Sequence, residues 1–144
     1  MSAQAWTERR FAALAVADPD RLAALAERVL ERAGTSEVVA GPRPATMLVE
    51  LTESVQGQPF HLGEVVVTEA TVLVDGCRGD GVVLGLDVER ATAAAVVDAA
   101  AEAGLLTAEI DLLVRDTEAV CAAGRDRTAA AIAGTRVMVE VIAG

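Results

Sequence analysis

The sequence predicts an α+β domain spanning residues 1–144: an N-terminal helix pair, an antiparallel β-meander, two Ala-rich helices and a C-terminal strand. Three observations carry this. Apolar residues recur at helical spacing from Ala3 to Ala33; between Thr35 and Asp87 the period falls to two; after Asp87 the helical period returns, until β-branched residues close the chain.

The first helix runs from about Ala3 to Ala17, with Trp6, Ala13, Leu14 and Ala17 on one stripe and Glu8, Arg9 and Arg10 on the wet side. It ends at ADPD, where Asp18 is an N-cap and Pro19 a first-turn residue with its φ already set. Leu22, Leu25, Ala26, Val29 and Ala33 carry the stripe of a second helix up to Gly34, so the two form an αα unit. SEVVA and TMLVELTES, separated by GPRP, then read as paired strands, with Met47, Val49 and Leu51 on one face and Leu48, Glu50 and Thr52 on the other. GEVVVTEATVLVDG is the longest strand, with Val66, Ala70, Val72 and Val74 on its drier face and Glu69 and Thr71 on the wetter one. Asp75-Gly76 turns the chain into a return strand within GDGVVLGLD; connections this short require antiparallel pairing. Asp87 caps VERATAAAVVDAAAEAG, which Gly104 closes. Thr107 opens a fourth helix through Ile110, Leu113, Val114, Thr117, Val120 and Cys121, continuing past Gly124 towards Ile132 and Gly134. TRVMVEVIAG closes the chain as a strand that fits either the sheet edge or exchange with a second copy in a dimer.

Composition narrows the function. Apolar residues make up 53% of the chain, yet the aromatic ones are Trp6, Phe11 and Phe60 alone, so Ala, Val and Leu fill the core. Small side chains favour close helix packing and subunit contact over an aromatic-lined ligand pocket. All 12 basic residues are Arg, against 22 acidic ones. A net charge of −10 repels nucleic acid and anionic lipid, and the absence of Lys excludes a Walker loop and a Schiff-base lysine. Cys77 and Cys121 share no CxxC pattern and read as reduced cytoplasmic thiols. Asp98 interrupts ATAAAVVDAAA, so no uncharged stretch reaches the roughly 18 residues of a membrane span.

Local motifs for chemistry are sparse. The glycines of DGCRGDGVVLG lack a dinucleotide-loop spacing, fall in a hairpin and read as turn formers. His61 and Glu64 form HxxE, but His61 is the single histidine of the chain and a zinc helix needs two, so no metal site is expected. Ser36, Ser54 and the cysteines have no adjacent base, and Asp75, Asp80 and Asp87 read as turn and capping residues rather than an acid–base pair.

PFHLGEVVVTEATVLVDG, followed by GDGVVLGLDVERATAAAVVDAA, resembles the PhnG family, the G subunit of the bacterial phosphonate C–P lyase system. The features that carry it are Gly63-Glu64 opening a long strand, Thr68-Glu69-Ala70 within it, the Gly76 turn, the Gly81 to Gly85 return strand and the helix containing Asp98-Ala99-Ala100. The segment from Trp6 to Leu14, ending in LAVADPDRL, matches as well, so the resemblance covers nearly the whole chain.

The resemblance implies a homodimeric, cytoplasmic subunit of a core assembly with subunits H, I and J. With these and the ATP-binding-cassette subunit L, it supports displacement of adenine from ATP by a phosphonate, giving ribose 1-phosphonate 5-triphosphate. The enzyme is then a transferase by assembly, with no complete active site and no cofactor of this chain's own, and ATP is the substrate of the whole. Its candidate interface or composite-site residues are Trp6, Phe60, His61, Gly63, Glu64 and Thr68. Phe60 and His61 lie where a polar loop meets a strand, which favours anchoring or an interface over a catalytic base. Two other readings stand beside this one: a small stand-alone enzyme using His61 with a carboxylate, and an adaptor or oligomerisation domain outside phosphonate metabolism.

Overall fold

A computed structural model describes the backbone of residues 2–53, 59–131 and 135–142 and the side chains of 2–46, 48 and 63–124. The element order is α1 (Ala3–Val16), α2 (Pro19–Arg32), β1 (Ser36–Glu53), β2 (Pro59–Val74), β3 (Cys77–Leu84), α3 (Val88–Ala103), α4 (Thr107–Ala131) and β4 (Thr135–Ile142). The strands form one antiparallel sheet in the order β3-β2-β1-β4. The meander and the α+β class thus follow the sequence pattern. The expected directions of Met47, Val49, Glu50, Leu51 and Thr52, and the expectations for Ser54, Ile132 and Gly134, lie outside the described residues.

Helix α3 is the centre of the molecule. It lies across β3 and β2 on one side and meets α1, α2 and α4 on the other. A helix covered on most sides is apolar on most sides, and residues 94–100 of α3 are buried without a break, all of them apolar except Asp98. Asp87 caps its start by accepting from the Arg90 N–H at 3.1 Å, and Gly104 ends it at φ 77°. Helix α2 starts in the same way, with the Asp18 carboxylate accepting from the Arg21 N–H at 2.9 Å.

The close seat of α3 on the sheet depends on Gly79 and Gly81. These two alternate along β3 and both face α3; a Cβ on Gly79 would collide with backbone atoms of Ala95 and Ala99, and one on Gly81 with those of Ala91 and Ala95. Helix residues four apart meet strand residues two apart, and both sets are small. The turn role expected of these glycines therefore holds for Gly76 (φ 80°) and Gly85 (φ 81°), while Gly79 and Gly81 are packing positions within a strand.

Other expectations need correction. SEVVA and TMLVELTES are one strand, β1, and pair with β2 rather than with each other. The GPRP stretch is absorbed by register shifts between Val38, Ala40 and Arg43, with Gly41 at φ 71° against the Glu69 carbonyl. Helices α1 and α2 are consecutive but not a packed hairpin, since both dock on α3. Arg10 is not on the wet side: it is 2% exposed, because it falls on the same stripe as Ala13 and Leu14. Val66 is 49% exposed although it shares parity with the buried Ala70, Val72 and Val74, because β3 leaves the sheet beside it. Val120 is 70% exposed, lying beyond the part of α4 where Ile110, Leu113, Val114 and Thr117 are buried.

Candidate functional site

A cluster of five charged side chains lines a cavity of about 360 Å³ where α1, β3 and α3 meet, formed by Thr7, Arg10, Cys77, Arg78, Asp80, Asp98 and Glu102. Its geometry starts from two spacings. Asp98 and Glu102 are four apart on α3 and so share a face, and Arg10 projects from α1 towards both. Arg10 Nε donates to Asp98 Oδ1 at 2.7 Å and its Nη2 to Glu102 Oε1 at 2.6 Å. The second Asp98 oxygen accepts from the Asp80 N–H at 3.0 Å, so a side chain on α3 satisfies a backbone donor of the edge strand. The Asp80 carboxylate in turn accepts from the Thr71 hydroxyl at 2.7 Å and from Arg78 at 3.2 Å.

The electrostatics of this network are asymmetric. Burial works against the Arg10 charge, yet the bonds to Asp98 and Glu102 outweigh it and hold the guanidinium above its ordinary value. Burial pushes the Asp98 carboxyl up, and the Asp80 N–H and Arg10 only partly pull it back. Arg10 meets two anions, whereas Asp98 shares its one cation with Glu102 and is pushed further up by the Asp80 carboxylate. Three carboxylates against two guanidiniums, each already engaged, make a poor seat for a further anion. The cluster ties α1, β3 and α3 together. The Asp98 break in the alanine run and the place of Arg10 on the α1 stripe were its signals in the sequence.

The candidates named from sequence lie on separate elements. Trp6 is half-buried on α1 against the core, with the Arg9 guanidinium 5.3 Å from its ring centroid. Thr68 is buried in β2, where its hydroxyl donates to the Gly85 carbonyl at 2.7 Å and accepts from the Asp87 N–H at 3.0 Å. It thereby clamps the turn from β3 into α3. Gly63 (φ 133°) and Glu64 are exposed on β2. Phe60 and His61 sit in the ladder opposite Leu51 and Glu50, and their side-chain environments lie outside the described residues. Gly63 and Glu64 adjoin each other and continue the strand from His61, while Trp6 and Thr68 belong to the packed body. The other acidic candidates have structural partners: the Asp75 carboxylate accepts from the Gly34 and Thr35 N–H groups at 2.8 and 2.9 Å, and Asp87 is a cap.

Among the described residues no group of three or more His, Cys, Asp or Glu is placed to hold a metal ion, both described cysteines are free thiols, and no helix is long and apolar enough to cross a membrane. The model of the family described as "Phosphonate metabolism protein PhnG" matches residues 7–142. A curated relative from Rhizobium meliloti (strain 1021), alpha-D-ribose 1-methylphosphonate 5-triphosphate synthase subunit PhnG, is 37% identical over 100 residues, which is 69% of this chain. The matched stretch spans 64% of that relative's length. With nearly its whole length inside the family match, the chain belongs to the PhnG family of phosphonate metabolism proteins.

Proposed function

We propose that this chain is a subunit of the synthase that displaces adenine from ATP with a phosphonate, forming ribose 1-phosphonate 5-triphosphate. The observation that carries the reading is the family match over residues 7–142, supported by the relative named as a subunit of such a synthase. The physical chemistry points the same way. ATP and a phosphonate bring several negative charges to a chain of net charge −10, and the arginines of the polar cavity are already held by carboxylates. Partner subunits therefore supply the charge that binds substrate, and this chain supplies surface and position. In this reading it works in the cytoplasm with subunits H, I and J and the ATP-binding-cassette subunit L. The complex is the transferase, and this chain holds no complete active site or cofactor alone.

The same reading includes a homodimer. Strand β4 pairs with β1 of its own chain, from Thr46 opposite Ile142 to Glu53 opposite Thr135, and the identical ladder forms if β4 comes from a second copy. Removing residues 135–144 then converts a dimer to monomers in light scattering; a dimer that survives the deletion ends the exchange idea.

The test of function is growth. A bacterium lacking its own G subunit and given methylphosphonate as its phosphorus source should grow when supplied with this chain and the partner subunits from the same source. Partners that support growth without the chain would move it to an adaptor role outside the pathway.

A further inference from the structure

Strand β2 has two neighbours over only part of its length. Strand β1 accompanies it from Val74 to Pro59, but β3 accompanies it only from Val74 to Val67, where Leu84 is the last paired residue. The final bond on that side runs from the Gly85 N–H to the Val66 carbonyl at 2.8 Å, and Gly85 (φ 81°) then turns the chain away towards α3. Thr68 locks this departure through its bonds to Gly85 and Asp87. In an antiparallel strand alternate residues direct both backbone groups to the same side, so the amide and carbonyl of Glu64 face the side that β3 has left. Glu64 is exposed.

A second observation falls at the same place. Val66, Leu84, Leu86 and Val88 are 49%, 59%, 78% and 55% exposed, and they flank the point where β3 leaves the sheet. Backbone groups without a strand partner among the described residues, beside exposed apolar side chains, are the two components of strand addition, in which main-chain bonds give affinity and side-chain contacts give choice. The charges nearby are acidic: Glu64 on the edge and Glu89 in the first turn of α3 are both exposed.

We infer that the edge of β2 from Pro59 to Val66, with Leu84, Leu86 and Val88, receives an extended segment of a different subunit. That segment takes the place β3 vacates, alternates apolar residues towards the Leu86 cluster, and carries Arg or Lys opposite Glu64 and Glu89. A second copy of this chain fits less well, because two β2 edges paired about a twofold axis bring like charges together in a chain of net charge −10. The inference rests on the reading of this chain as an assembly subunit and adds the surface and the chemistry of its partner.

Hydrogen exchange on the isolated chain and on the chain assembled with the other synthase subunits tests it, together with Leu86→Arg. Expected are slowed exchange across residues 59–66 in the assembly alone, and roughly tenfold to hundredfold weaker association for Leu86→Arg, the effect of losing one buried Leu contact. The variant should melt at the wild-type temperature. An assembly that forms while residues 59–66 exchange as in the free chain, or that Leu86→Arg joins with unchanged affinity, overturns this inference and leaves the subunit role standing. Protection that rises with the concentration of the isolated chain assigns the edge to a second copy and overturns it too. A chain that joins none of the subunits ends both readings.

Discussion

The two halves of β2 share a strand and differ in almost everything else. From Val67 to Val74 the strand has β1 and β3 on its flanks and α3 against its face, and Val67, Thr68, Ala70, Val72 and Val74 are buried. From Gly63 to Val66 it is accompanied by β1 on one side and is half-buried or exposed throughout. The first half is closed by steric fit, since glycines in β3 meet alanines in α3 with no room for a further carbon. Among the described residues the second half has no strand on its other side, includes the exposed Val66 and lies beside the exposed Leu84 and Leu86. The covered half carries the packing against α3, and the open half is the edge inferred to receive a partner strand.

A smaller contrast sits on α1. Arg9 and Arg10 are adjacent, and each makes close carboxylate bonds. The Arg9 pair with Glu118 has side chains 38% and 36% exposed, whereas the Arg10 pair with Asp98 has 3% and 8%. The buried pair is the one whose loss is felt, because water cannot replace the missing partner.

Substitutions can separate these regions, and the largest effect is expected at Arg10. Arg10→Met leaves the buried Asp98 without its cation and should lower unfolding free energy by about 3–5 kcal/mol in urea titrations. Arg9→Ala should shift the midpoint far less than Arg10→Met does, because water can take the place of its exposed partner. Gly81→Ala comes next: the backbone of Ala91 and Ala95 cannot yield to the added methyl, so a loss of about 1–3 kcal/mol is expected. Leu86→Arg, on the open side, should change stability by less than about 0.5 kcal/mol. A Leu86 variant as unstable as the Gly81 one would erase the distinction between the two halves.

The smallest expected effect is on pH dependence. Burial holds the Asp98 carboxyl above its ordinary value, so its contribution to stability is present at low pH and declines as pH rises through the raised value. The hydrogen bond from Arg9 holds Glu118 below its ordinary value, so its contribution is present above the usual glutamate range and is lost as pH falls through the lowered value. Glu118→Gln removes the second trend and keeps the first, and should make the acid loss of stability shallower. An acid limb as steep as that of the wild type would show that the exposed pair contributes nothing.

Much of the covered half was legible in the sequence, because its signals are local. Asp18, Asp87 and Gly104 cap helices through bonds within a few residues, and the period-two run of β2 marks a strand wherever it packs. What escaped depends on distant partners. Arg10 meets Asp98 across a separation of 88 residues, and its charge argued for solvent more strongly than its position on the apolar stripe argued for burial. Gly79 and Gly81 read as turn residues until the register set them against Ala91, Ala95 and Ala99. The candidate site was legible in part: Gly85 read as the turn that ends the return strand, but that β2 runs on past it, with Gly63 and Glu64 exposed beyond the last β3 pair, comes from the register. The roles of Trp6 and Thr68 in packing and in clamping a turn come from tertiary contacts that strand and helix periods do not encode.

The measurement that bears most directly on the whole account is adenine release from ATP and methylphosphonate by purified subunits H, I and L, with and without this chain. The account predicts adenine and the ribose 1-phosphonate 5-triphosphate product with the chain present and a large loss of both without it. Equal product formation in its absence, by partners shown to be competent, would contradict the subunit role.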